Sequence, residues 1–117
     1  MKEIKAYVRV HMLDKVIRAL EAAGFTDMTV IDVRAIRRQL RSQDLAYSLE
    51  LAKRYMNVAK LAIVVRDDDV AAVSDIICTS ARTGTKGDGL IYVTPVEQAI
   101  HIRTGASGES AIESPAG

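Results

Sequence analysis

Residues 58–95 read VAKLAIVVRDDDVAAVSDIICTSARTGTKGDGLIYVTP, and three signals in this stretch decide the fold. VAKLAIVV, from Val58 to Val65, has the length and the β-branched composition of a strand and stops at a charged cluster. Asp67, Asp68 and Asp69 then precede Val70, Val73, Ile76 and Ile77, whose three- and four-residue steps predict an amphipathic helix ending near Ser80. The aspartates stand where an acidic N-cap and first turn would complement the helix macrodipole. TGTKGDG is a loop by composition, and LIYVTP after it is a strand closed by Pro95.

Working outward, the N-terminal part repeats the same unit. KEIKAYVRV, Lys2 to Val10, sets Ile4, Ala6, Val8 and Val10 on one face and Lys5, Tyr7 and Arg9 on the other, the period of a half-buried strand. Leu13, Val16, Ile17, Leu20 and Ala23 follow at helical spacing, with Gly24 as the stop, and MTVIDV forms a second strand ending near Arg34. The order is strand, helix, strand, insertion, strand, helix, strand, which is the split βαβ pattern of an α+β, ferredoxin-like βαββαβ sandwich. One domain spans residues 1–106, a long loop insertion occupies about 36–57 between the second and third strands, and the Gly-, Ser- and Ala-rich residues 107–117 are a flexible tail. Helices on one sheet face leave the other, where Tyr7 lies, in need of cover, and self-association into a homotrimer supplies it.

The bulk composition narrows the class. The chain has 117 residues, 49% of them apolar, enough for one small core. Sixteen basic against fifteen acidic residues leave a net charge of +1, so no overall field draws the chain to nucleic acid or an anionic membrane. No apolar run approaches the roughly 20 residues of a membrane span, and the N-terminus lacks a signal-peptide block. The single cysteine, Cys78, excludes an internal disulfide, suits a reducing, cytoplasmic compartment and is assigned to core packing.

The stretch TGTKGDGLIYVTPVEQAIHIRTG, Thr83 to Gly105, resembles the C-terminal signature of the PII signal-transduction family, and GFTDMTVIDV, Gly24 to Val33, resembles its second-strand segment. The opening MKEIKAYVR and the closing RTGASGESAI fit the family as well. The resemblance implies a non-enzymatic homotrimeric regulator with ATP or ADP, and AMP as an alternative, held in clefts between subunits, and a long loop that docks on a membrane transporter or metabolic enzyme. The matching nucleotide positions are Met28, Thr29, Arg38, Gln39, Val64, Gly87, Asp88, Gly89, His101 and Arg103. The loop positions for docking are Arg41, Leu45, Tyr47, Leu49 and Arg54. The Gly-rich loop follows a helix and precedes a strand, so it is no Walker loop; a phosphate would rest on backbone N–H groups around Gly87, Asp88 and Gly89. The same glycines equally serve a plain tight turn.

Several positions depart from the family pattern. Leu90 stands where a phosphate-binding lysine is common, His101 where an arginine is, and Ala62 where a glutamate is. These changes reduce the charge available to a triphosphate. The resemblance also implies a 2-oxoglutarate site with magnesium bridged through the nucleotide at Gln39, but the lysine expected at its end is Val58, which argues against tight 2-oxoglutarate sensing. The tyrosine that some members have modified is Leu51. Within the insertion, Leu45, Leu49, Ala52 and Met56 share one helical face that Ser42 could cap. That face suits either a docking segment that folds on a partner or a local helix on its own trimer. Arg34, Arg37, Arg38 and Arg41 form a basic run without interleaved aromatics, more typical of a solvated face than of nucleic-acid binding. His11 and His101 lack further ligands at metal-binding spacing. The alternative to a sensor is a constitutive trimeric interaction module whose cleft has lost nucleotide sensing.

Overall fold

The computed structural model describes residues 1–33 and 58–112. Its elements are β1 (Lys2–Arg9), α1 (Val10–Ala22), β2 (Thr29–Val33), β3 (Val58–Val65), a 3-10 turn (Asp67–Asp69), α2 (Val70–Ala81), β4 (Gly89–Pro95) and a final 3-10 turn (Gly108–Ala111). The four strands form one antiparallel sheet in the order β2-β3-β1-β4. This is the ferredoxin-like α+β arrangement that the strand and helix periods predict.

Alternation along β1 and β3 sends Ile4, Ala6 and Val8, with Ala59, Leu61, Ile63 and Val65, to one face, where all are buried. Helices α1 and α2 pack on each other and on that face, contributing Val16, Leu20, Val73 and Ile77. Each such side chain removed from water stabilises the fold by about 1.5–3 kcal/mol. The end of α1 is sealed as the sequence predicts: Gly24 takes φ +94°, and Phe25 N–H donates to Leu20 O at 2.9 Å, a six-to-one bond that satisfies a terminal carbonyl. Phe25 thereby turns back onto the core.

Two local expectations are corrected. Cys78 is exposed, not packed in the core, because α2 turns Val73, Ile77, Ser80 and Ala81 inward. The buried Ser80 hydroxyl is accommodated by donating to Ile76 O at 2.6 Å. The three aspartates form a 3-10 turn leading into α2, and no side chain caps the helix. Asp67 instead bonds the Met1 amino group at 2.9 Å, with Lys2 Nζ at 3.6 Å, and these partners hold its carboxyl below the usual range. Within the segment that composition assigns to a tail, Ser107 pairs with Ile100, Gly108 N–H donates to Ala99 O at 3.1 Å, and Glu109 lies 3.8 Å from Arg66.

The second sheet face carries no helix among the described residues. Ile31, Leu90 and Tyr92 lie on it, and each is about half exposed or more. Tyr7 and Tyr92 meet there edge to face, their ring centroids 5.9 Å apart. An isolated chain thus presents a band of aliphatic and aromatic side chains to water.

Candidate functional site

The topology brings two groups of chemistry-bearing residues to opposite ends and opposite sides of the sheet. At one end, register aligns Gly89 with Val8 and Val58 with Arg9, and Val33 with Val58. The Gly-rich loop, the last residue of β1 and the stem of the insertion therefore share one end.

The loop is organised by a carboxylate and a guanidinium. Asp88 Oδ2 accepts the backbone N–H groups of Thr83 and Gly84, each at 2.9 Å, and Oδ1 accepts a short hydrogen bond from the Thr83 hydroxyl. Arg9 donates from Nε to Asp88 Oδ1 at 3.3 Å and from Nη2 to Thr85 Oγ1 at 3.2 Å and Lys86 O at 2.6 Å. The Thr83 hydroxyl and amide, then the Gly84 amide and Arg9, favour the ionised form and hold the Asp88 carboxyl well below the usual range, against the opposing effect of desolvation. Asp88 is thus a loop-building anion, and the amides of Thr83 and Gly84 are committed to it.

Two glycines make this packing possible. A Cβ on Gly89, at φ +114°, would lie 1.7 Å from Tyr7 O, so only glycine lets β4 start this close to β1. A Cβ on Gly87, at φ +92°, would meet the Arg9 guanidinium, with Nη2 at 3.1 Å.

At the other end, Met28 packs partly against the core, Thr29 is exposed at the start of β2, and Val64 lies near the end of β3. An open cleft of about 380 Å³ lies beside them, lined by Phe25, Asp27, Val64, Arg66, Asp69 and Ile112 among others. That volume falls within the roughly 300–1,000 Å³ range of small-ligand sites. The segment after β4 crosses this end: Val96 N–H donates to Met1 O, and Ile112 reaches the turn after α1. Within it, His101 O accepts from Gly105 N–H at 2.7 Å and His101 N–H donates to Ala106 O at 2.8 Å. His101 Nδ1 is shielded from solvent without a hydrogen-bond partner among the described residues. Arg103 is exposed.

Of the residues singled out in the sequence, Gly87, Asp88 and Gly89 sit together in the loop, whereas Met28, Thr29 and Val64 sit on the far side of the sheet. Thr29, on the edge strand β2, is three strand spacings of roughly 4.8 Å, about 14 Å, from β4, and Val64, on β3, is two, about 10 Å. Arg38, Gln39, Arg41, Leu45, Tyr47, Leu49 and Arg54 lie outside the described residues. Nothing in the local sequence marks Arg9, Thr83 or Thr85 as site residues. The alternation of β1 marks Arg9 only as a polar-face residue, and its place beside the loop depends on the pairing of β1 with β4. No group of three or more histidine, cysteine or carboxylate side chains able to hold a metal occurs among the described residues, and no described helix is long and apolar enough to cross a membrane.

Comparison with known proteins places the chain in a well-populated neighbourhood. The family model described as Nitrogen regulatory protein P-II matches residues 1–106. The chain is 43% identical to "Nitrogen regulatory protein P-II 2" of Methanothermobacter thermautotrophicus, covering 96% of this chain and 97% of that protein. It is 41% identical to the protein called "Nitrogen regulatory protein P-II" of Nostoc punctiforme and 38% identical to that of Cereibacter sphaeroides, in both cases over 96% of this chain and the whole of the relative.

Proposed function

The chain belongs to the nitrogen regulatory protein P-II family of signal-transduction regulators, and from that membership we propose that it is a homotrimeric sensor of an adenine nucleotide. On this reading the nucleotide sits between subunits and biases the insertion at 36–57, which docks on a transporter or metabolic enzyme. The observation that carries the reading is the separation of the matching positions. Thr29 lies on the edge strand β2 and Val64 on its neighbour β3, whereas Gly87 to Gly89 lie at the start of β4; β3 and β1 stand between Thr29 and β4, and β1 between Val64 and β4. A ligand touching both groups in one chain would have to lie across the sheet. A neighbouring copy that lays its β2 side along this chain's β4 edge, offset along the strands, brings the two groups to one cleft, the base against one chain and the phosphates against the other.

The uncovered sheet face supports the trimer. Leu90 is 63% exposed, Tyr92 50% and Ile31 46%, and three such faces turned inward would withdraw them from water. Nucleotide control requires that the ligand contact one state of the insertion better than another. The stem of the insertion, at Val33 and Val58, adjoins the Gly-rich loop, which gives a route for that preference. Val58 brings no cation to a dicarboxylate, so 2-oxoglutarate binds weakly, and magnesium enters only with the nucleotide near Gln39.

Calorimetry with ATP, ADP and AMP, each with and without magnesium and 2-oxoglutarate, tests the proposal. Saturable binding approaching one nucleotide per protomer is expected, with little effect of 2-oxoglutarate. Absence of heat with all three nucleotides overturns it in favour of the constitutive interaction module, which the uncharged Ala62 and Leu90 already favour.

A further inference from the structure

We propose that Arg9 is the principal cation for the terminal phosphates of the nucleotide, replacing the charge that Leu90 lacks, while also holding the Gly-rich loop in its receptive shape. The inference rests on the adenine-nucleotide reading above and deepens it.

An arginine offers five N–H donors in a planar fork. Three are engaged: Nε with Asp88, and the two Nη2 hydrogens with Thr85 and Lys86 O. Both Nη1 hydrogens are without an acceptor among the described residues. The engaged donors fix the orientation of the guanidinium, so the free ones are aimed without further loss of side-chain entropy. They lie against the loop itself, because a Cβ on Gly87 would stand 3.9 Å from Nη1 and 3.7 Å from Cζ. An anion resting on the backbone at Gly87 therefore comes within reach of Nη1.

The charge balance favours an anion at this spot. Asp88 opposes one positive charge, but its Oδ2 is occupied by the amides of Thr83 and Gly84. Lys86, exposed and outside every ion pair among the described residues, leaves the loop with excess positive charge. Leu90, on the adjacent strand opposite Tyr7, contributes none. Arg9 and Tyr7 project from the same face of β1, so the guanidinium stands at the loop end of that face. Charge-assisted bonds from a preset guanidinium strengthen with each phosphate oxygen that reaches it, whereas base and ribose contacts are indifferent to it.

Titration calorimetry on the full chain with AMP, ADP and ATP, for the unmodified protein, Arg9→Gln, Arg9→Lys and Arg18→Gln, separates the possibilities. Arg9→Gln is expected to weaken ATP by at least about ten-fold, the loss of a charge-assisted bond, while AMP changes little. Arg9→Lys, with its charge kept and its fork lost, falls between. Arg18→Gln, which removes an exposed charge on α1 and no loop contact, leaves the ATP-to-AMP ratio unchanged. Equal loss of AMP and ATP in Arg9→Gln, no loss of ATP, or the Arg9→Gln pattern reproduced by Arg18→Gln overturns the assignment. Failure of the unmodified protein to bind any of the three instead sinks the nucleotide reading, and the role of Arg9 with it.

Discussion

Replacing Gly89 with alanine would place a methyl group 1.7 Å from Tyr7 O, about half of an ordinary van der Waals contact of 3.4–4 Å. The obstacle is backbone, not the end of a flexible side chain, so β4 must retreat from β1 where Val8 faces Gly89 and Tyr7 faces Leu90. Positive φ alone costs an alanine about 1–2 kcal/mol. Forfeiting two ladder bonds at roughly 1 kcal/mol each brings the loss to about 3–4 kcal/mol. Gly24→Ala supplies the internal control, because Gly24 also has positive φ, at +94°, but no atom lies within 4 Å of a Cβ there. It should lose only the conformational part. Urea unfolding followed by circular dichroism, at one fixed protomer concentration because subunit association adds to apparent stability, measures both. In thermal unfolding the gap of about 2 kcal/mol between the variants should be about 6–12 °C, at roughly 3–6 °C per kcal/mol for a chain of this size. If Gly89→Ala lies within about 0.5 kcal/mol of Gly24→Ala, the close approach of β4 to β1 is not what demands glycine.

Two further outcomes follow from the loop and the open face. Asp88 has its folded-state carboxyl pKa below the ordinary value of 3.8, so its contribution is complete above that value and is lost as pH falls through the lower folded one. The amide resonances of Thr83 and Gly84 should therefore stay constant through neutral pH and shift only in strong acid, and should lose that transition in Asp88→Asn; a midpoint at or above the ordinary carboxylate range would contradict the hydrogen-bonded loop. Tyr92→Asp, which places a charge in the proposed trimer core beside Tyr7, should move the sedimenting species from trimer toward monomer at micromolar concentration, and an unchanged trimer would exclude this face from the interface.

Much of the chain can be read without coordinates because it is local. Ile4, Ala6 and Val8 alternate because a strand has period two; Val16 and Leu20 recur because a helix has period 3.6; Gly24 ends α1 because only glycine takes positive φ without strain. The family resemblance likewise belongs to the sequence, since GFTDMTVIDV and TGTKGDGLIYVTP need no structure to be recognised. Side-chain partnership between distant segments is different in kind. Cys78 and Ser80 lie two positions apart on a helix of mixed polarity, and only the docking angle of α2 buries the hydroxyl and exposes the thiol. Arg9 and Asp88 are 79 residues apart and meet because β1 pairs with β4 in one register. The split of the candidate nucleotide positions between the β2–β3 side and the β4 edge of the sheet depends on the strand order β2-β3-β1-β4. Local sequence sets the periods and turns, since these depend on backbone sterics and near neighbours. Which charged group reaches which loop is settled by how the strands pair across the whole chain.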